Sequence, residues 1–140
     1  NIRSDGGPVS DATRTFSDVD FPVFRLSEMY LIYAEAVLRG GTGGDATTAL
    51  NYINLMRTRA YGNASGNISA GQLTLQFILD ERGRELYWEG WRRNDLIRFG
   101  KFLGAWQEKP ASTAERLLFA IPNEQLAVNP NLTQNPGYNK

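Results

Sequence analysis

Cysteine and histidine are both missing from this sequence, and the two absences exclude several classes of chemistry. The 140 residues contain no Cys and no His. Without cysteine there is no disulfide, no thiol nucleophile and no thiolate metal site. Without histidine there is no Ser-His-Asp triad, no imidazole base and no His-bound metal. The lack of cysteine leaves the compartment open, because exported bacterial proteins can also do without disulfides.

An excess of charge and a long apolar run are missing as well. The 15 Lys and Arg residues balance 15 Asp and Glu residues, so the formal net charge is zero. Nucleic-acid binding needs a basic surplus or a basic face, so we expect no nucleic-acid partner. No run of about 18 apolar residues occurs, so we expect no membrane span. We predict no cofactor and no metal, since the acidic residues lack calcium-loop spacing.

Apolar residues recur at helical spacing in the first half of the chain, which predicts a pair of helices. The first helix is predicted to begin after Ser27 as its N-cap and to stop at residues 40–41, which are both glycine. Asp45 is a good N-cap for a second helix that ends near Ala60. A short connection of this kind normally makes neighbouring helices antiparallel.

A third helical segment lies in the middle of the chain. Thr74 is a suitable N-cap, and the apolar spacing after it predicts a helix to about Glu89. The pattern resumes over residues 91–99. From Pro110 onward it is irregular, apart from one helical turn near residues 123–126. The sequence therefore predicts an all-α fold of helix pairs with long irregular loops.

The third helix carries an unusual density of charge. Glu81, Glu85 and Glu89 recur at i, i+4 and i+8, where like charges repel one another. One interpretation is a paired-carboxylate hydrolase; the other is an ionic network that fixes helix packing. We favour the network, because a catalytic acid needs a raised pKa and nearby arginines lower it. The predicted members of this network are Arg25, Glu28, Glu35, Arg57, Arg59, Glu81, Glu85, Glu89, Arg92, Arg93 and Asp95.

Four ordered segments resemble the SusD/RagB family. Residues 21–36 read FPVFRLSEMYLIYAEA and are similar to its RLAEMYLIYAEA segment. Residues 49–60 match its ALxxINxxRxRA pattern. Residues 78–98 match ILxERxxELxxEGxRxxDLxR, and residues 121–138 resemble its C-terminus. Each segment alone is weak, but four in order are highly specific.

The resemblance implies a fold, a function and a location. Members are surface lipoproteins of the Bacteroidetes outer membrane. They capture glycans or other nutrients for a SusC-like TonB-dependent transporter and are not enzymes. Their fold contains tetratricopeptide-like (TPR-like) helix pairs. Members are several times longer, so this chain resembles their C-terminal part, and a lipid anchor would lie outside it.

Two regions of the chain follow from this interpretation. Residues 1–19 are polar and glycine-bearing and are predicted to be a loop or N-terminal extension. Residues 20–140 are predicted to form the SusD/RagB-like C-terminal helical domain, a fragment of a larger protein.

Exposed aromatic residues on irregular segments are the candidates for glycan contact. A sugar stacks its apolar C–H face on a flat ring, and Tyr61 and Trp106 stand in such segments. Trp88 and Trp91 lie beside the charged stretch and are expected in the core.

We consider three functions and prefer the first. The first is non-catalytic glycan capture beside a SusC-like transporter. The second is a TPR-like scaffold that binds protein and has no glycan site of its own. The third is a glycoside hydrolase that uses the glutamates.

Overall fold

The computed structural model describes Gly7 and residues 22–138. Within these residues the secondary structure is helical, without a strand, which confirms the predicted all-α class. The helices are α1 (Leu26–Leu38), α2 (Ala46–Tyr61), α3 (Leu75–Glu85), α4 (Arg92–Arg98) and α5 (Asn123–Val128). Short 3-10 turns occur at Ala64–Gly66, Ala70–Gln72 and Ala114–Leu117. The predicted loop over residues 1–19 lies outside the described residues, apart from Gly7.

The chain divides into two compact units, which we call the N-terminal unit (to Gly90) and the C-terminal unit (from Trp91). The N-terminal unit contains α1, α2 and α3, and the C-terminal unit contains α4 and α5. The extent of the predicted domain over residues 20–140 remains a prediction.

Helices α1 and α2 form an antiparallel pair. The first turns of α1 lie beside the last turns of α2. Further along α1, the Tyr33 hydroxyl accepts a hydrogen bond from the N–H of Asp45, the N-cap of α2, at 3.1 Å. Tyr30 stacks on Tyr52 with 4.4 Å between ring centroids, and Tyr33 meets Tyr52 edge-on at 5.1 Å. These contacts confirm the predicted helix pair.

The predicted helix starts are correct for α2 and α3 and wrong for α1. Asp45 caps α2 by accepting the Thr48 N–H at 2.8 Å, and Thr74 caps α3 by accepting the Phe77 N–H at 3.1 Å. Helix α1 begins one residue after Arg25, so Ser27 is a buried residue of its first turn. The Arg25 side chain does not cap the helix, because its guanidinium binds glutamates instead.

Helix α3 ends four residues earlier than predicted, at Glu85. In a continuous helix the Glu85 carbonyl would accept the Glu89 N–H. Here it accepts Arg25 Nη2 at 2.6 Å, while the Glu89 N–H turns to the Leu86 carbonyl at 3.1 Å. A contact that is distant in sequence therefore closes the helix, and Glu89 lies in the turn after it.

The core of the N-terminal unit lies between its three helices and the loop after α2. Asn54 fixes that loop, because its side-chain amide exchanges two hydrogen bonds with the backbone of Ile68, at 2.8 and 3.0 Å. The buried apolar residues of this unit are Leu31, Ala34, Ala49, Ile53, Met56, Ile68, Leu73, Ile78, Leu79 and Leu86.

Candidate functional site

Arg25 links three points of the N-terminal unit. Its Nε donates to Glu89 at 2.8 Å and its Nη1 donates to Glu85 at 2.8 Å. Arg59, near the end of α2, binds the same Glu85 carboxylate through Nη2 at 2.7 and 2.8 Å. The guanidinium groups of Arg25 and Arg59 thus connect the start of α1, the end of α2 and the end of α3. We call Arg25, Arg59, Glu85 and Glu89 the Arg25 cluster.

A second set of ion pairs lies one helical turn earlier on α3, at Glu81. Glu81 is buried and accepts from Arg57 at 2.7 Å and from Arg84 at 2.6 Å. Arg57 Nε also donates to the Gly66 carbonyl in the loop after α2. Arg57 therefore attaches both α3 and this loop to α2.

The electrostatics of the Arg25 cluster oppose acid catalysis. Burial alone would raise the pKa of Glu85, but the hydrogen bonds from Arg59 and Arg25 outweigh it and hold that pKa below its ordinary value. The hydrogen bond to Glu89 raises the pKa of Arg25 despite partial burial. A general acid needs a carboxyl whose pKa is raised, so the arrangement at Glu85 favours a fixed ion pair.

The remaining residues of the predicted network take different partners. Glu35 is buried and pairs with Arg39 at 2.8 Å. Asp95 is buried and pairs with Arg98 at 2.6 Å. Glu28 is 3% exposed, and its Oε2 has no hydrogen-bond partner among the residues that the structure describes.

Arg92 and Arg93 were expected to neutralise glutamates. Arg92 lies exposed on α4. Arg93 donates instead to the main-chain carbonyls of Arg116 and Leu117, at 3.1 and 3.0 Å. Its guanidinium lies 4.1 Å from the ring centroid of Phe119. The Arg93 guanidinium thus holds the irregular segment around residues 116–119. Helical spacing could not have predicted these contacts.

Tyr61, the first predicted ligand contact, is 54% exposed at the end of α2. One side of its ring rests on Gly66, where an added Cβ would come within 2.4 Å of the ring. The Arg57 guanidinium lies 5.2 Å from its centroid. Part of the ring surface therefore already packs against the loop after α2.

Trp106, the second predicted contact, is 41% exposed in the C-terminal unit. It forms an isolated antiparallel bridge with Lys109, whose Nζ lies 4.7 Å from the indole centroid. Gln107 in this tight turn has a φ of 37°. The turn presents the indole at the surface with an ammonium group over the ring.

An aromatic pair that the sequence analysis missed follows α3. Trp88 is 84% exposed and Tyr87 is 74% exposed, which overturns the expectation that Trp88 belongs to the core. Their ring centroids are 6.2 Å apart with the planes tilted by 58°. Helical spacing placed Trp88 on a helix, but α3 has already ended and Trp88 has a φ of 67°.

A small open cavity lies between α1 and α2. Its volume is about 140 Å³. Its lining is apolar except at the Arg59 end, where it meets the Arg25 cluster. The lining residues are Leu26, Ser27, Tyr30, Leu55, Met56 and Arg59.

Over Gly7 and residues 22–138, no three acidic side chains come together in a way that would hold a metal ion. Over the same part of the chain, each helix is too short or too polar to span a bilayer.

Comparison with known proteins identifies the family. The model of the SusD family matches residues 3–112. The starch-binding protein SusD of Bacteroides thetaiotaomicron is 42% identical over an alignment that covers 99% of this chain and 25% of that protein. Two SusD-like proteins of Formosa agariphila are 30% and 34% identical, over 89% and 84% of this chain. The chain spans about a quarter of the length of these relatives. Because the family match covers well over half of the sequence, the chain belongs to the SusD family.

Proposed function

We propose that this chain is part of a non-catalytic glycan-capture protein at the outer-membrane surface, where it serves a SusC-like TonB-dependent transporter. The observation that carries the proposal is the 42% identity to a starch-binding protein along nearly the whole chain. Such a protein needs rigid aromatic surfaces and has no need of an acid or a nucleophile.

The geometry supports capture more than conversion. The carboxylates that a hydrolase would use, Glu81 and Glu85, are each held by two arginines. Of the two predicted contacts, Trp106 fits glycan stacking better, because the Tyr61 ring is partly covered by Gly66. Trp106 is accordingly our proposed glycan contact in the C-terminal unit, and Tyr61 contributes at its exposed edge.

Affinity electrophoresis tests this function. The chain is run in native gels that contain amylopectin, and a second set of gels contains xylan or a β-glucan. We expect retarded migration with at least one polysaccharide and no release of reducing sugar on incubation. Unchanged migration in every gel would contradict the proposal, as would sugar release that Glu85→Gln abolishes without loss of fold.

A protein-binding scaffold is the second candidate, and one observation favours it. Leu26, Met29 and Ile32 recur every third residue on α1 and are 64%, 42% and 44% exposed. An apolar stripe of this kind on a helix pair is a normal surface for binding another protein. Co-purification with the transporter barrel that Met29→Lys disrupts, without retardation in any glycan gel, would favour the scaffold.

A further inference from the structure

The Tyr87–Trp88 pair combines strong exposure with an unfavourable backbone conformation. A φ of 67° is easy for glycine and costly for a tryptophan, whose Cβ approaches its own backbone there. The fold gains almost no burial in return, because Trp88 is 84% exposed. A conformation that is unfavourable and brings no packing indicates a functional constraint on the side chain.

Three other exposed rings of the described chain each carry a cation over one face. An arginine lies over Tyr61 and over Phe119, and a lysine lies over Trp106. Among the described residues, the ring contact of Tyr87 and Trp88 is with each other, with the two planes tilted by 58°. Their faces are therefore available to a ligand.

The backbone beneath the pair is held from both sides. Arg25 binds Glu85 before the pair and Glu89 after it, each at 2.8 Å. Leu86 next to the pair is 4% exposed and anchors the segment in the core. A backbone that is held in this way does not have to be ordered when a ligand binds, which is the advantage of a preorganised site.

Polar partners for a ligand stand beside the same base. Glu89 and Arg25 are partly exposed, with side-chain accessibilities of 16% and 25%. The Arg59 side chain is 58% exposed, and the hydrogen bonds it makes to Glu85 both come from Nη2. Carboxylate oxygens accept and guanidinium N–H groups donate, so both kinds of partner for a hydroxyl group are present.

We propose that Tyr87 and Trp88 form a stacking platform for the hexose rings of a glycan, with hydroxyl groups bound by the exposed atoms of the Arg25 cluster. The C–H face of a hexose carries slight positive charge and matches the negative face of an aromatic ring. This inference rests on the proposed function of glycan capture and assigns it a site in the N-terminal unit.

Substitution at position 88 separates a binding role from a packing role. Glycine adopts φ of 67° without strain, so Trp88→Gly is expected to keep or raise the melting temperature of the chain. In amylopectin gels the same variant is expected to bind roughly tenfold more weakly, since its stacking surface is lost. Tyr87→Ala should weaken binding by about threefold, since it removes the smaller ring. Phe24→Ala is the matched control, because Phe24 is also 74% exposed but lies outside the pair.

The outcomes distinguish this inference from the proposed function. If the unaltered chain is not retarded by any polysaccharide, glycan capture itself fails, and the platform fails with it. If the chain is retarded and Trp88→Gly and Tyr87→Ala are retarded equally, only the platform is wrong. A Trp88→Gly chain that melts several degrees lower or does not fold would assign the indole to packing and would also overturn the platform.

Discussion

Each of the two units is stabilised internally by a different kind of interaction. In the N-terminal unit, arginines pair with carboxylates that are distant in sequence, and ten apolar residues are buried around them. In the described part of the C-terminal unit, Leu96 is the one buried apolar residue. There Arg93 binds carbonyl oxygens and aromatic faces. Arginine thus pairs mainly with carboxylates in one unit and, at Arg93, with carbonyls and an aromatic face in the other.

The difference follows from how much regular structure each unit contains. Helices satisfy most of their own backbone groups, so the arginines of the N-terminal unit pair mainly with carboxylates, although Arg25 and Arg57 each also donate to a carbonyl. Irregular segments leave carbonyls without partners, and a guanidinium with five donors is well suited to them. We therefore expect the N-terminal unit to respond most strongly to changes in packing and the C-terminal unit to changes in side chain–backbone hydrogen bonds.

The largest effect should come from a cavity in the N-terminal core. Ile53 on α2 is fully buried. Ile53→Ala should lower the free energy of unfolding by about 3 kcal/mol, since it removes buried methylene groups and leaves a void. Urea denaturation followed by circular dichroism measures the change. Leu55→Ala on the same helix is the control, because Leu55 is 58% exposed; an equal loss in both variants would contradict the proposed core.

Glycine 66 gives a smaller and more local test of the same unit. A Cβ there would meet the Tyr61 ring at 2.4 Å. Gly66→Ala should therefore cost about 2 kcal/mol of unfolding free energy through overpacking. Gly71→Ala is its control, since a Cβ at Gly71 has no neighbour within 4 Å. If Gly66→Ala is as stable as Gly71→Ala, the Tyr61 ring does not rest on Gly66 in solution.

Local sequence patterns were sufficient for the helices and insufficient for what ends and joins them. Asp45 and Thr74 are predictable because capping depends on residues three positions apart. The end of α3 depends on Arg25, which lies 60 residues before Glu85. Helical periodicity carries no information about that contact. The prediction from spacing therefore extended the helix to Glu89.

Local sequence patterns were also insufficient to predict the contacts of the candidate site. Arginine–glutamate pairing was expected from composition and spacing, and the structure supplies specific partners such as Arg57 with Glu81. The exposure of Trp88 was not predictable, because hydrophobicity assigns tryptophan to the core whenever a helix is assumed. The partners of Arg93 are main-chain carbonyls, which carry no signature in the sequence.

Arg93→Lys tests the interactions of the C-terminal unit. Lysine keeps the charge but loses the flat fork that reaches two carbonyls and lies on Phe119. We expect a local loss of about 1 kcal/mol, seen as roughly fivefold faster amide hydrogen exchange at Arg116 and Leu118. Amides of α2 serve as the internal control and should not change. If amide hydrogen exchange becomes faster by the same factor in both units, the effect of Arg93→Lys is not local to the C-terminal unit.

The smallest expected effect is the pH dependence that Glu85 contributes. Its pKa in the folded chain is lowered from the ordinary value of 4.5, since hydrogen bonds from Arg59 and Arg25 outweigh the opposite effect of burial. The unfolded chain therefore binds this proton at a higher pH than the folded chain does. Stabilisation by Glu85 is present above pH 4.5 and is lost as the pH falls through the folded value.

Glu85→Gln removes this contribution and leaves a side chain of similar size. We expect it to lower the free energy of unfolding at pH 7 by less than about 1 kcal/mol, because the pair is partly exposed to solvent. The difference from the unaltered chain should shrink as the pH is reduced from 5 to 3 in urea titrations. A difference that stays constant over this range would mean that Glu85 acts through its shape alone. The Arg25 cluster would then hold α3 by hydrogen bonding without net charge, and the contrast between the two units would lie in their apolar cores only.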